Sequence, residues 1–325
     1  MPTAKHGPVE VSEKWSGRSL VTLMDVSRVQ IEQVIRLAAD LKQIHRTKTP
    51  VKRWDYPRTL GMLFEKPSLR TRVSFEAGMA QMGGHAIYLA SADVGLGTRE
   101  SIADVAGALS RWVDIISARV FKHETVVELA EHSAVPVINA LSDREHPIQA
   151  FADLMTLLEH KPIPPGQLKL AYVGDGNNVL HALLLACAKM GISISAACPE
   201  GYFPDEEYVR AAQQIGLNET EAVVKLVTDP VEAVQNADAV YTDVWASMGQ
   251  EAEQAHRAEI FKTYQLNSRL LQSAKSDAIA MHCLPAHRGE EISAEIMLSH
   301  ATTILDQAEN RLHTQKALIS LMLGF

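Results

Sequence analysis

The sequence predicts an α/β fold in which two doubly wound parallel-sheet domains are joined by a long helix. Short apolar segments alternate with amphipathic segments along the chain, which is the pattern of parallel strands with helices on their faces. The 325 residues are enough for two domains of ordinary size. A break rich in proline, KPIPPGQ at residues 161–167, separates two runs of this alternation. The break marks the expected boundary region, and we assign residues 1–150 to one domain and residues 151–325, which include the break, to a second.

The first domain is predicted to begin with an amphipathic helix, because Ile31, Val34, Ala38 and Leu41 recur at helical spacing. The segment 59–65 is apolar without a helical stripe, which predicts a buried strand. A Gly-containing loop is expected at residues 92–101. Further strands are expected at residues 85–90, 115–121 and 135–141, and further helices at residues 69–82, 101–113, 126–132 and 147–160.

The second domain repeats the same alternation after the proline-rich break. A polar stretch, SMGQEAEQAH at residues 247–256, interrupts it once. A final helix is predicted at residues 311–323. Strands are expected at residues 168–173, 192–198, 222–227, 239–244, 278–283 and 302–305.

Composition and charge exclude several classes of function. A net charge of -8 argues against nucleic acid or an anionic membrane as the main partner. The first residues lack the apolar core of a secretory signal, and no apolar run reaches the length of a membrane span. Cys187, Cys198 and Cys283 are odd in number and lack CxxC spacing, which fits a reducing compartment. We expect a soluble cytoplasmic protein.

The motif SLRTR, residues 68–72, predicts an anion site. Ser68 is a good N-cap for the helix that follows Pro67. A helix N-terminus already carries unpaired N–H groups and partial positive charge, so Arg70 and Arg72 are unfavourable there unless an anion lies between them. Phosphate would satisfy both the arginines and the N–H groups. The alternative is a helix start whose arginines pair with surface carboxylates.

The motif GDGNN, residues 174–178, follows a predicted strand and precedes a predicted helix. It resembles a dinucleotide loop, but Val179 stands where the third glycine of GxGxxG belongs, which argues against a nucleotide cofactor. The asparagines Asn177 and Asn178 can hold a polar ligand or form a simple turn. Asp243, in DVWASMG, ends another strand, where its carboxylate could hold an amine.

Two further motifs place polar groups at strand ends, where ligands bind in doubly wound sheets. His146 and Gln149, in HPIQ, lie one helical turn apart and could polarise a carbonyl and orient an amide, or His146 could only cap the helix. Cys283 directly follows a strand; its neighbour His282 should face the other side of the sheet and is a poor catalytic base for it. A buried structural cysteine is the alternative. HETVV has Val127 where the second histidine of a HExxH metal site belongs.

Seven motifs in order resemble the aspartate/ornithine carbamoyltransferase superfamily, and most closely its ornithine-specific members. They are FEKPSLRTR, Arg119-Val120-Phe121, HPIQ, GDGNN, DVWASMG, HCLP and AENR ending at Arg311, and they cover the chain from about residue 20 to its end. The resemblance implies carbamoyl transfer from carbamoyl phosphate to ornithine in a homotrimer with shared active sites, without a metal or organic cofactor. It also implies that the last helix, from about residue 309, returns to the first domain.

The resemblance also assigns residues. The implied catalytic residues are Arg119, His146 and Cys283. The implied carbamoyl phosphate site comprises Ser68, Leu69, Arg70, Thr71, Arg119, His146, Gln149, Cys283, Leu284 and Arg311. The implied ornithine site comprises Asn178, Asp243, Ser247 and Met248. A cis peptide is implied between Leu284 and Pro285.

Two positions depart from the family pattern. Leu69 replaces a common threonine, which matters little if backbone N–H groups bind the phosphate there. Gly95 stands where a Gln or His often reaches a neighbouring subunit's phosphate, so it puts that side-chain contact in doubt. Transfer to another amine, a nucleotide-dependent oxidoreductase and a binding protein without catalysis are the alternatives.

Overall fold

The computed structural model describes residues 14–49, 54–246 and 253–324. Its first domain contains a four-stranded parallel sheet in the order β2-β1-β3-β4. The strands are β1 (Thr59–Phe64), β2 (His85–Ala90), β3 (Ile115–Arg119) and β4 (Val137–Leu141). The helices are α1 (Arg28–Arg46), α2 (Leu69–Gln81), α3 (Ser91–Val94), α4 (Ile102–Leu109), α5 (His123–His132) and α6 (Pro147–His160).

The second domain contains a five-stranded parallel sheet in the order β7-β6-β5-β8-β9. The strands are β5 (Lys169–Val173), β6 (Ser193–Ala197), β7 (Val224–Val227), β8 (Ala239–Thr242) and β9 (Ile279–His282). The helices are α7 (Asn178–Met190), α8 (Glu206–Ile215), α9 (Pro230–Val234), α10 (Gln254–Phe261), α11 (Ser268–Leu271), α12 (Ala294–Ser299) and α13 (Ala301–Met322). Two parallel sheets flanked by helices confirm the predicted fold class.

Both sheets are wound outwards from a central strand, and this positions the site. In the first sheet the chain passes from β1 to β2 and then crosses to β3 on the other side. In the second it passes from β5 through β6 and β7 and then crosses to β8. The crevice beyond such a switch point is open because neighbouring connections leave in opposite directions. The loops after β1, β3, β5 and β8 therefore border two such crevices.

The strand predicted at residues 302–305 is wrong. Those residues form the first turns of α13, whose buried face includes Thr303, Ile304, Gln307 and Arg311. The β-branched residues there favour a strand locally, but their burial at helical spacing against neighbouring helices overrides that preference. Part of the loop predicted at residues 92–101 is also helical, since α3 extends to Val94.

The long helix α13 packs on α1, α2 and α6, so it returns to the first domain as expected. Its close approach to α2 needs Gly78, where an added Cβ would lie 3.0 Å from Lys316 Cγ. Lys316 Nζ also donates to Gln81 Oε1 at 3.0 Å. Within the described ranges no helix combines the length and apolar character of a membrane span.

Candidate active site

A cavity of about 450 Å³ lies between the two domains, at the carboxyl ends of both sheets. It collects every predicted site residue that the structure describes. Ser247 and Met248 lie outside the described residues. The predicted residues that line the cavity are Ser68, Leu69, Arg70, Thr71, Arg119, His146, Gln149, Asn178, Asp243, Cys283, Leu284 and Arg311.

The N-terminus of α2 forms one end of the cavity. Ser68 caps the helix as predicted, since its side chain accepts a hydrogen bond from Thr71 N at 3.3 Å. Arg70 lines the cavity, whereas Arg72 is exposed, pairs with Glu76 at 2.9 Å and is absent from the cavity wall. The two arginines of SLRTR therefore differ in their surroundings. Arg70 faces the cavity, whereas Arg72 pairs with a surface carboxylate, which was the alternative for this motif.

Three guanidinium groups surround this end of the cavity. Arg119 and Arg311 are buried, and Arg70 is half-buried. Burial, and then mutual repulsion among the three, lower the pKa of Arg119 to about 10. Burial also lowers the pKa of Arg311 to about 10. Both remain charged at neutral pH, and their buried Nε atoms have no hydrogen-bond partner. A buried concentration of positive charge is costly unless an anion compensates it, so the geometry favours an anionic ligand.

Arg119 lies at an irregularity in the sheet. It is the last residue of β3, and the pairing of β3 with β4 shifts register between Ala118 and Arg119. Ala118 pairs with Asn139 and Arg119 with Leu141, so the extra residue belongs to β4 and the regular pairing ends where the site begins.

His146 is a neutral hydrogen-bonding group in this site. It occupies the N-cap of α6, with Pro147 at the first helical position. Burial, together with the charges of Arg311, Arg119 and Arg70, holds the pKa of His146 well below its usual value. Its Nδ1 atom is buried without a partner. A neutral imidazole can donate one hydrogen bond to a ligand without adding a fourth positive charge.

Gln149 is held between protein partners on both sides of its amide. Its Nε2 donates to Asp153 Oδ1 at 2.8 Å, and its Oε1 accepts from Arg311 Nη1 at 2.5 Å. Arg311 Nη2 also donates to Thr71 Oγ1 at 3.0 Å. Sequence reasoning missed Asp153. The available signal was a carboxylate one helical turn after Gln149, within a helix that is otherwise apolar over those turns.

The opposite end of the cavity carries a carboxylate. Asp243 Oδ2 accepts from Asn177 Nδ2 at 2.8 Å, and Asp243 Oδ1 accepts from Cys283 Sγ at 3.0 Å. Sequence reasoning left open a polar ligand or a simple turn for Asn177; its side chain caps α7, where its Oδ1 accepts from Val179 N and Leu180 N, and its Nδ2 orients this carboxylate. Asn178 Nδ2 donates to the carbonyl oxygen of Ser142 at 2.6 Å, so Asn178 joins the two domains while it lines the cavity.

Cys283 is a thiol and not a thiolate in this site. Burial, and then the charge of Asp243, raise the pKa of Cys283 well above its usual value. His282 does not serve as its base, because His282 Nε2 lies 3.1 Å from Glu291 Oε1 and His282 Nδ1 accepts from Leu284 N at 2.8 Å. Both ring nitrogens are therefore in use, which also argues against His282 as a metal ligand. The Leu284–Pro285 peptide is cis.

A pocket lined by three arginines and a buried carboxylate, in a cleft between two α/β domains, fits the class of protein that binds a small anion beside a second polar ligand. The family models for the carbamoyl-P binding domain and the Asp/Orn binding domain of aspartate/ornithine carbamoyltransferases match residues 18–159 and 166–322. The chain belongs to this family, which confirms the resemblance.

Relatives and solved structures agree with this assignment. The ornithine carbamoyltransferase of Anoxybacillus flavithermus is 51% identical over 306 residues, which are 93% of this chain and 96% of the relative. The anabolic enzyme of Pyrococcus furiosus is 48% identical over 309 residues, 95% of this chain and 97% of the relative. The P. furiosus ornithine carbamoyltransferase structure superposes with a TM-score of 0.91 at 48% identity, covering 96% of this chain and 98% of that one. The anabolic Campylobacter jejuni enzyme gives 0.88 at 39% identity, covering 93% and 97%.

Proposed function

We propose that the protein transfers the carbamoyl group of carbamoyl phosphate to the δ-amine of L-ornithine, which gives L-citrulline and phosphate in arginine biosynthesis. The same reaction run in reverse would serve arginine degradation. The observation that carries the proposal is one cavity whose wall includes three arginines, Arg70, Arg119 and Arg311, together with the Asp243 carboxylate. The relatives named above are ornithine carbamoyltransferases, which supports this choice of substrates.

Carbamoyl phosphate would bind at the cationic end. Its phosphate would accept from the N–H groups and hydroxyls of residues 68–71 and from the guanidinium groups. Arg119 and His146 would donate to the carbonyl oxygen, where negative charge develops in the transition state. Gln149 would orient the carbamoyl amide.

The neutral δ-amine would attack the carbonyl carbon and form a C–N bond. Collapse of the tetrahedral intermediate breaks the bond between carbon and the phosphate oxygen, phosphate leaves with the electron pair, and the attacking nitrogen loses a proton. The reaction needs no organic cofactor or metal, because phosphate is an activated leaving group.

Ornithine would lie at the other end. Asp243 would pair with the α-ammonium group, and Asn178, Ser247 and Met248 would complete the amino-acid site. Cys283 and Leu284 would border the reacting amine. Because the raised pKa of Cys283 keeps its thiol protonated, Cys283 would line the site as an uncharged side chain and donate a hydrogen bond to Asp243.

A citrulline assay tests the proposal directly. Purified protein is given carbamoyl phosphate with ornithine, putrescine, N-acetylornithine or aspartate, and both phosphate and the carbamoylated product are measured. We expect one citrulline per phosphate released with ornithine. Absence of product with ornithine, or binding of NAD(P) in its place, would refute the assignment.

The predicted assembly and domain roles extend this proposal. We propose a cytoplasmic homotrimer with shared sites, in which residues 1–150 bind carbamoyl phosphate and residues 151–325 bind ornithine; α6 runs across that division. Large exposed apolar side chains on the first domain, Trp112 and Ile87, support an interface there. Light scattering should give a molar mass of three times 35.7 kDa.

Gly95 adopts a left-handed conformation with φ 63°, and an added Cβ would lie 2.8 Å from Arg99 Cβ. A Gln or His at this position would therefore need a loop of different shape.

The two arginines of SLRTR provide a matched pair for testing the phosphate site. Arg70→Ala should weaken binding of carbamoyl phosphate by about 1.5–3 kcal/mol, because it removes a charged donor from the cavity. Arg72→Ala should leave binding unchanged, since Arg72 forms a surface pair with Glu76. Calorimetric titration of both variants decides the point. Equal losses in the two variants would show that the effect is one of general surface charge.

The pH profile should report the attacking amine and not His146. A primary amine of this kind titrates near about 10.4, so only about one molecule in a thousand is neutral at pH 7. Because the pKa of His146 is held well below its usual value by burial and by the nearby arginines, the amine should dominate the profile, and activity at subsaturating ornithine should rise from pH 6 to about 9. A plateau above about pH 7 would contradict this, since it would show that the supply of neutral amine does not limit the rate.

A further inference from the structure

Asp153 lies behind the cationic end of the cavity and receives three side-chain hydrogen bonds. It is only 2% exposed and does not line the cavity. Gln149 Nε2 and Gln307 Nε2 donate to its Oδ1 at 2.8 and 2.6 Å, and the Tyr241 hydroxyl donates to its Oδ2 at 3.2 Å. The three donors come from α6, α13 and β8. One carboxylate therefore connects the helix between the two domains, the C-terminal helix and the second sheet.

This carboxylate decides which way the Gln149 amide faces. An ionised carboxylate only accepts hydrogen bonds, so Gln149 must direct its NH₂ group towards Asp153. Its carbonyl oxygen then faces the other way and accepts from Arg311 Nη1 at 2.5 Å. With the amide turned round, an NH₂ group would face the guanidinium and both would be donors. Asp153 therefore controls a bond that holds Arg311, and its negative charge also offsets part of the lowering of the pKa of Arg311 by burial.

The same logic applies to Gln307. Because its NH₂ group faces Asp153, its carbonyl oxygen is free to accept from the backbone N–H of His282 at 2.9 Å. His282 is the residue before Cys283, at the end of the cavity that carries Asp243. A continuous chain of hydrogen bonds thus runs from the end of β9, through Gln307 and Asp153, to the side chains at the α2 terminus.

We propose that Asp153 is a positioning residue for carbamoyl phosphate, which fixes the amide of Gln149 and through it the guanidinium of Arg311, and that Gln307 extends this control to the end of β9. The inference rests on the proposed function, which it deepens by naming the residues that preorganise the donor site. Rigid side chains behind a binding group keep it in the productive geometry, and their loss loosens the site without removing any contact to the ligand.

The test is Asp153→Leu at pH 8. That pH keeps the wild-type carboxylate ionised, because burial raises the pKa of Asp153 to about 7. Leucine has a similar shape and no acceptor, so the Gln149 and Gln307 amides both lose the oxygen to which they donate and Gln149 is free to turn. We expect the Kd of inorganic phosphate and the KM of carbamoyl phosphate to rise about tenfold, with less than about a threefold change in the KM of ornithine.

Two controls separate positioning from general stability. Thr156→Val removes a hydroxyl that accepts from Asn310 Nδ2 at 2.9 Å, another buried contact between α6 and α13 that touches neither Gln149 nor Arg311. It should lower the melting temperature while phosphate binding stays at the wild-type value. In a Gln149→Leu background, Asp153→Leu should cost clearly less phosphate affinity than it does alone, because the part of the effect that passes through the Gln149 amide is already lost.

The outcomes are distinct from those of the activity test, since phosphate binding is measured without ornithine or turnover. Wild-type phosphate affinity in a folded Asp153→Leu variant would overturn the inference, and so would an equal loss in the Gln149→Leu background. If Asp153→Leu does not fold, Gln307→Met serves instead. It should raise the Kd of phosphate and the KM of ornithine about threefold each, and unchanged values would overturn the proposed link.

Discussion

Replacing Arg119 with alanine should lower kcat about 10²- to 10³-fold, the loss typical of one removed oxyanion donor. Arg119 is 6% exposed at the end of β3, and its Nε has no protein partner, so its charge is available to a ligand. A donor that strengthens its bond as charge develops on the carbonyl oxygen stabilises the transition state more than the substrate. Phosphate affinity should also fall, because the same guanidinium faces the anion. Steady-state kinetics with both substrates measures the two effects separately.

The control for this variant is Arg58→Ala. Arg58 forms an ion pair with Asp114 at 2.7 Å at the amino end of the same sheet, far from the cavity wall. Its loss should affect stability and leave kcat at the wild-type value. If the folded Arg119→Ala variant kept kcat within about threefold of wild type, Arg119 would have no part in the chemical step.

The second large effect concerns substrate choice. We expect wild type to prefer ornithine over putrescine and N-acetylornithine by at least about tenfold in kcat/KM. N-acetylornithine would leave the Asp243 carboxylate facing a neutral amide. Putrescine has no α-carboxylate, so it would leave Asn178 without the ligand group to which it would donate. An unpaired polar group in a closed site costs about 1–3 kcal/mol, and more when it is charged.

Asp243→Asn should narrow that preference while it lowers activity with ornithine. The matched control is Asp238→Asn, at the opposite end of β8, where the carboxylate accepts from Lys169 N at 2.9 Å and pairs with Lys275 at 2.7 Å. That variant should change stability without changing the order of substrates. If wild type carbamoylated putrescine as well as it carbamoylated ornithine, the proposed site for the α-ammonium and α-carboxylate groups of ornithine would be wrong.

Much of the site could be predicted because most of the motifs follow the end of a strand. Once the alternation indicates parallel sheets, the residues just after the strands of one sheet lie on the same edge, so Arg119 was expected near His146, and Asn178 near Asp243. The caps were also local. Ser68 and Pro147 begin their helices through contacts within a few residues, which the sequence shows directly.

The direction of individual side chains was less predictable. Arg70 and Arg72 both looked suited to the anion, yet only Arg70 faces the cavity, because residues two positions apart on a helix lie on different faces. Arg72 therefore faces solvent, where it pairs with Glu76. The register shift before Arg119 depends on the partner strand β4 and has no marker in β3 itself.

The sequence by itself determined the alternation of strands and helices, the division into two sheets, the helix caps and the set of residues at the strand ends, since all of these follow from patterns that repeat within a few residues. Only the tertiary structure decided that residues 302–305 are helical and that Asp153 and Gln307 stand behind the site. Those two residues are separated by 154 positions, and their hydrogen bond of 2.6 Å leaves no periodic trace in the chain. Such contacts exist only once α13 has packed on α6, because burial there outweighs local preference and brings distant polar groups within reach.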